Sequence, residues 1–180
     1  MNKFLLRILF ILGLLTGDDY SISFDGQNDF VIISDHAALD LTSNYTLEAW
    51  VFPESFSWLS GIISKYHSNA ANGYVLRLTS QSPYSGLGFD EMITITGLLG
   101  INQWHHIAAV NRGGNRSLYI NGIQQNISGT ALNVAQNNDP LKLGSDYSSR
   151  FFDGKIDEVR IWNIARESDE ISNYMDSTLS

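Results

Sequence analysis

No cysteine occurs anywhere in the 180 residues. Disulfides, cysteine–zinc centres, thiol catalysis and a lipidated cysteine anchor are thereby excluded. Export is not, because a chain of this length buries enough surface to be stable without a covalent staple. Basic residues are scarce as well: 11 Lys and Arg stand against 19 Asp and Glu, a formal net charge of -8. Nucleic acids and anionic membrane surfaces are poor partners for such a chain, since both call for a basic face. Neutral ligands, or cations such as calcium, suit it better. Long apolar runs are missing too. The stretch Ile8 to Leu15, broken only by Gly13, is too short to span a bilayer comfortably.

What is present is a folding composition: 43% hydrophobic and 12% aromatic residues, without low-complexity character. The first 17 residues read as a signal peptide. Lys3 and Arg7 form a positive start, Ile8 to Leu15 the apolar centre, and Thr16 and Gly17 the small residues ahead of Asp18. A buried N-terminal strand or helix is the alternative, and an uncleaved anchor a further one. Removing residues 1–17 takes away two bases and no acids, so 9 bases would face 19 acids, a charge of -10. The mature unit, residues 18–180, is expected to be one domain, secreted, periplasmic or displayed at the cell surface, with no membrane insertion.

Behind residue 18 the chain is a series of short β-patterned segments separated by Gly, Asn and Asp. In Tyr45 to Phe52, Tyr45, Leu47, Ala49 and Val51 share one face; Thr46, Glu48, Trp50 and Phe52 share the other. Bulk on both faces marks a central strand, and Pro53 is expected to stop it. Gly61 to Tyr66 and Tyr74 to Thr79 read as a pair. In the second, Tyr74, Leu76 and Leu78 oppose Val75, Arg77 and Thr79. Trp104 to Asn111 is a further strand. Ser117 to Ile120, Asn121-Gly122 and Ile123 to Ile127 read as a hairpin with a type I′ turn, since both central residues tolerate positive φ. Leu141 to Leu143 and Lys155 to Trp162 complete the set, and Ser168 to Met175 is helical, with Ser168 as its cap. Many short strands without intervening helices predict an all-β, antiparallel two-sheet sandwich with a short C-terminal helix.

Four segments in order carry a resemblance. They are Phe24-Asp25-Gly26-Gln27-Asn28-Asp29-Phe30-Val31, then Leu39-Asp40-Leu41 with Tyr45 to Val51. Next come Trp104 to Val110 with Leu118-Tyr119-Ile120-Asn121-Gly122, and finally Phe152 to Asn163 trailed by Ala165-Arg166. Together they resemble the laminin-G-like jelly-roll domains of the concanavalin A-like lectin/glucanase superfamily, across roughly residues 20–175. The resemblance implies a jelly roll that serves binding, adhesion or, in some members, glycan cleavage. It also implies a structural calcium held by Asp25, Asn28 and Asp157. The residues themselves leave a second reading open, in which Asp25-Gly26 is an Asx-turn and Asp157 or Glu158 pairs with Arg160 or Lys155.

Catalysis has little support. Glycanases of this fold use carboxylates spaced acid-x-acid-x-acid on one strand, and no such triplet occurs. Asp157-Glu158 and Asp90-Glu91 are adjacent, so on a strand they face opposite sides. Asp153 and Asp157 form a poor pair. His105 and His106 alternate faces, His36 and His67 fall in loops, and all four are expected to be structural. Carbohydrate platforms are sought among aromatics in turn-rich stretches: Trp58, Tyr66, Tyr84, Tyr147 and Phe151. Trp50, Trp104 and Trp162 are expected in the core. The expected function is a non-catalytic binding or adhesion module for an extracellular glycan. A protein-interaction or structural domain of a larger surface protein is the alternative, and a glycan hydrolase or lyase the second alternative. Asn44, Asn115 and Asn126 open N-glycosylation triplets that arise easily by chance.

Overall fold

A computed structural model describes residues 5–7, 20–66, 73–81, 84–90, 93–94, 99–129, 131 and 134–176. Its strands are β1 (Leu5–Arg7), β2 (Ile22–Asp25), β3 (Val31–Ile33), β4 (Asn44–Pro53), β5 (Gly61–Tyr66), β6 (Gly73–Gln81) and β7 (Tyr84–Phe89). They continue as β8 (Ile93–Thr94), β9 (His105–Arg112), β10 (Asn115–Ile120), β11 (Ile123–Gln124), β12 (Leu141–Leu143) and β13 (Asp153–Trp162), followed by helix α1 (Ser168–Tyr174). One sheet runs β1-β13-β4-β9-β10-β11, with β2 also on β13; the other runs β3-β12-β5-β6-β7-β8. Every pairing is antiparallel. The expected two-sheet jelly-roll sandwich is therefore the observed architecture.

The core lies between the sheets. Tyr45, Leu47, Ala49 and Val51 from β4 meet Tyr74, Leu76 and Leu78 from β6, with Leu87 and Phe89 from β7. Each fully buried apolar side chain of this kind contributes about 1.5–3 kcal/mol of transfer free energy. The hairpin forms as expected: Ile120 pairs with Ile123, and Asn121 and Gly122 take φ of 50° and 75°. Pro53 ends β4, opposite Gly154.

The tryptophan expectation is corrected. Trp50, Trp104 and Trp162 do not join the core between the sheets. Strand parity sends Trp50 and Trp162 to the outer face of the seven-stranded sheet. There the Trp50 indole donates to the Met175 carbonyl at 3.1 Å, and the Arg166 guanidinium sits 4.6 Å from the Trp162 ring. Trp104 lies 40% exposed against Phe52. The outer face carries bulk because α1 covers it. Ile171 of the helix packs on Ala108, Val110 and Tyr119. Glu167, not Ser168, caps the helix, and its N–H donates to Glu170 Oε2 at 2.9 Å.

Of the N-terminal 17 residues, Leu5–Arg7 alone are described, as β1 against Arg160–Trp162 of β13. β2 holds the other half of the same edge, at Asp153–Ile156.

Candidate functional site

The acidic first turn is built as an Asx-turn. Asp25 Oδ1 accepts from the backbone N–H groups of Gln27 (2.8 Å), Asn28 (3.1 Å) and Asp29 (3.4 Å). These bonds, that from Gln27 foremost, hold the Asp25 carboxyl below its usual range. Asp29 Oδ2 in turn accepts from the Asp25 N–H at 3.1 Å. The residue opposite Asp25 is Asp153, whose carboxylate accepts from Ser55 Oγ at 2.5 Å. Asp157 lies four residues further along β13, roughly 13 Å away at strand rise. There Asp157 Oδ1 accepts from the Glu158 N–H at 2.7 Å, and Arg160 donates to Glu158 at 3.0 Å. Asp25 and Asn28 thus share the turn, while Asp157 stands apart from them along β13. Among the described residues no group of three acidic or histidine side chains is arranged to hold a metal.

The outer face of the six-stranded sheet is different. Tyr66 on β5 and Val75, Arg77 and Thr79 on β6 point away from the core, yet all four are buried. Part of the cover is the loop that leaves β12. Its backbone passes over Gly61, where an added Cβ would stand 2.3 Å from the Ser145 carbonyl carbon. The Gly61 N–H donates to the Arg150 carbonyl at 3.1 Å. This loop brings Tyr147 onto Tyr66, with ring centroids 5.2 Å apart. Within it, Asp146 is fully buried. It accepts from the Ser148 and Arg150 N–H groups and from Arg150 Nε at 2.5 Å. The Arg150 guanidinium lies 5.3 Å from the Tyr147 ring centre.

Arg77 stands beside this ion pair. Gly88 and Gly86 of β7 lie opposite Arg77 and Thr79 and leave the sheet bare beneath them. Arg77 Nη2 donates to the Asp90 carbonyl at 3.2 Å. A second aromatic pair, Phe30 and Phe151, lies at 6.3 Å, with Lys142 over the Phe30 ring.

Two of the aromatics sought from the sequence, Tyr66 and Tyr147, thus meet. Trp58 is 61% exposed on the turn before β5, and that turn joins the same loop through Gly61. Tyr84 is in β7, but its side chain lies outside the described residues, as does His67. Arg77, Asp146 and Arg150 were not among the candidates. The glycine alternation Gly86-Leu87-Gly88 opposite β6 is the signal that could have found Arg77, since it marks a face left open on purpose for a large side chain. His105 is tied to the Gly100 carbonyl at 3.1 Å, and His106 is buried beside Glu48.

Residues 25–172 match the laminin G 3 family of the concanavalin A-like lectin/glucanase superfamily. No curated protein matches the chain. Among solved structures, domain 4 of AbnA, an extracellular arabinanase of Geobacillus stearothermophilus in complex with arabinotriose, superposes with a TM-score of 0.66 at 21% identity. That match covers 85% of this chain and 75% of that one. The heptameric pentraxin of Limulus polyphemus gives 0.68 at 17% identity over 86% and 80%. A carbohydrate-binding protein assigned in Bacteroides ovatus gives 0.66 at 20% identity over 99% and 57%. At such identities the likeness is one of fold.

Proposed function

From a chain that belongs to the concanavalin A-like lectin/glucanase superfamily, we propose a non-catalytic module that binds glycans outside the cytoplasm, on the outer face of the six-stranded sheet. The observation that carries this reading is the Tyr66–Tyr147 pair set beside Arg77, Asp146 and Arg150. Sugar recognition needs an aromatic face for the C–H side of the ring and fixed polar groups for its hydroxyls. Tyr147, 37% exposed and backed by Tyr66, offers the first; the ion pair at its foot offers the second.

Two neighbours support the ligand class through their own descriptions, one holding arabinotriose and one named for carbohydrate binding. Glycoside cleavage calls for two carboxylates about 5–10 Å apart with room for a substrate between them. Here Asp146 is engaged by Arg150, and Asp90 by Arg116 at 2.7 Å. The extracytoplasmic assignment rests on the signal-like start, Lys3 to Gly17. No helix among the described residues is long and apolar enough to cross a membrane.

Affinity electrophoresis through gels containing arabinan, xylan, β-glucan, pectin or alginate tests the proposal. At least one polymer should retard the protein, and Tyr147→Ala should abolish the retardation without lowering the melting temperature. Trp58→Ala should weaken it if the neighbouring turn shares the surface. Free migration through every polymer overturns the reading. For export, the protein recovered from a culture medium should begin at Asp18; retention of Met1 on secreted protein counts against a cleaved signal.

A further inference from the structure

Charge bookkeeping on the same face leaves one cation over. On that face Arg77 and Arg150 stand beside a single carboxylate, Asp146, while the Asp90 carboxylate lies between the sheets, where β10 of the other sheet brings Arg116 to it. Arg116 takes Asp90, and Arg150 takes Asp146. Among the described residues Arg77 donates to one backbone oxygen, and its Nε has no hydrogen-bond partner. The residue is 6% exposed. Its burial, and after that the positive charge of Arg150, draw its pKa down, and the charges of Asp146 and Asp90 offset this only in part.

An ionised group held away from water without a counter-charge is costly, and a ligand that supplies the charge recovers that cost. The unmatched cation also stands in a chain whose net charge is -8, so general attraction to anions does not explain its retention. The floor beneath it is clear. An added Cβ at Gly88 would reach Arg77 Cγ at 3.2 Å and Nε at 3.4 Å, so the arginine lies directly over that glycine.

We infer that Arg77, assisted by Arg150, receives the carboxylate of an acidic sugar, a uronic acid residue, whose ring rests against the exposed part of Tyr147. This rests on the glycan-binding reading and adds the charge class of the ligand. A guanidinium presents parallel N–H donors that match the two coplanar oxygens of a carboxylate, a fit that a tetrahedral sulfate ester does not reproduce. Arg150 is fixed in advance by Asp146 and by the Tyr147 ring, so little side-chain freedom is lost when the ligand arrives.

Calorimetric titration of the whole chain tests the inference. The probes are trigalacturonate and trimannuronate, each paired with its methyl ester, which keeps rings and linkages and removes the charge. At least one acid should bind about tenfold or more tighter than its ester, the size of one charge-assisted hydrogen bond. The preference should vanish in Arg77→Gln and fall in Arg77→Lys.

Should these variants fail to fold, the Nε–H signals of arginine in the wild-type protein provide the readout. One slowly exchanging signal should move with the acid and stay with the ester. Equal binding of acid and ester overturns the inference while leaving glycan binding intact. Absence of binding by all four probes with unmoved Nε–H signals overturns it as well, and only free migration through every polymer gel would remove the glycan reading with it. Equal binding of a sulfated trisaccharide overturns the carboxylate assignment.

Discussion

Glu48 and Arg166 are 118 residues apart in the chain and 2.6 Å apart in the fold, and neither reaches solvent. Glu48 projects from the outer face of β4, where His106 Nε2 lies at 3.7 Å and Arg160 Nη1 at 3.9 Å. Arg166 Nη2 also donates to the Glu170 carbonyl at 2.7 Å, so the same guanidinium that satisfies the buried carboxylate fixes the start of α1. Burial alone would raise the Glu48 pKa. His106 beside it and the charge of Arg166 outweigh that and hold it below its ordinary value.

Glu48→Gln keeps the shape and removes the charge. It leaves Arg166 buried without a carboxylate, and loss of one partner of a buried pair costs about 3–5 kcal/mol. Urea unfolding should show a destabilisation of that order. The linkage sign follows from the lowered pKa. Glu48 contributes stability above the ordinary glutamate range and loses it as pH falls through its folded value. The variant should therefore lose less stability than wild type on acidification. A destabilisation under about 1 kcal/mol would mean that the helix is held by apolar packing instead.

Asp90 works in the opposite direction. Burial pushes its pKa from 3.8 up to about 6, against the pull of Arg116. A carboxyl that keeps its proton longer in the folded state favours folding at low pH, and that contribution fades as pH rises from about 4 to about 6. The difference in stability between wild type and Asp90→Asn should shift against wild type across that window by up to about 3 kcal/mol, then stay level. A difference independent of pH would place the Asp90 pKa near its unfolded value.

Gly61→Ala tests the link between sheet and loop. The new Cβ would meet backbone, 2.3 Å from the Ser145 carbonyl carbon and 2.5 Å from Asp146 N. Backbone cannot give way as a side-chain tip can, so a loss above about 2 kcal/mol is expected, together with loss of glycan retention. Gly88→Ala touches only side-chain atoms at 3.2 Å and should stay within about 1 kcal/mol, while weakening the preference for acidic sugars. Unchanged retention in Gly61→Ala would detach the loop from binding.

Calcium separates the two readings of the acidic residues. If millimolar calcium raises the melting temperature, Asp157→Ala should leave the rise unchanged, because Asp157 stands apart from the turn at Asp25. Disappearance of the rise in that variant would return Asp157 to the ion.

Much of the sandwich was legible because strand parity is a local property. The two faces of Tyr45 to Phe52, the two faces of Tyr74 to Thr79 and the Asn121-Gly122 turn all follow from neighbours in sequence. Which face of β4 is the core was not legible, since α1 makes the outer face nearly as dry as the inner one, and tryptophans serve there as well. The aromatic candidates Tyr66 and Tyr147 could be named singly. Their meeting depends on the path of the loop after β12, a non-local property. The solitary charge of Arg77 was hidden for the same reason, because a missing partner becomes visible only when every neighbour has a position.

The way α1 is fastened has a bearing on where the protein can be cut. The family match runs from residue 25 to residue 172. Beyond its end lie the Tyr174 carbonyl, which accepts from Arg160 Nη1 at 2.9 Å, and the Met175 carbonyl, which accepts from the Trp50 indole. Before its start lie Ile22 to Phe24, paired to β13. An expression fragment trimmed to the match would take one acceptor from the buried Arg160, which keeps Glu158, leave the Trp50 indole without its acceptor, and uncover the part of the β13 edge that β2 holds. Fragments for crystallisation or display should instead keep all of β2 at the start and run through Asp176 at the end.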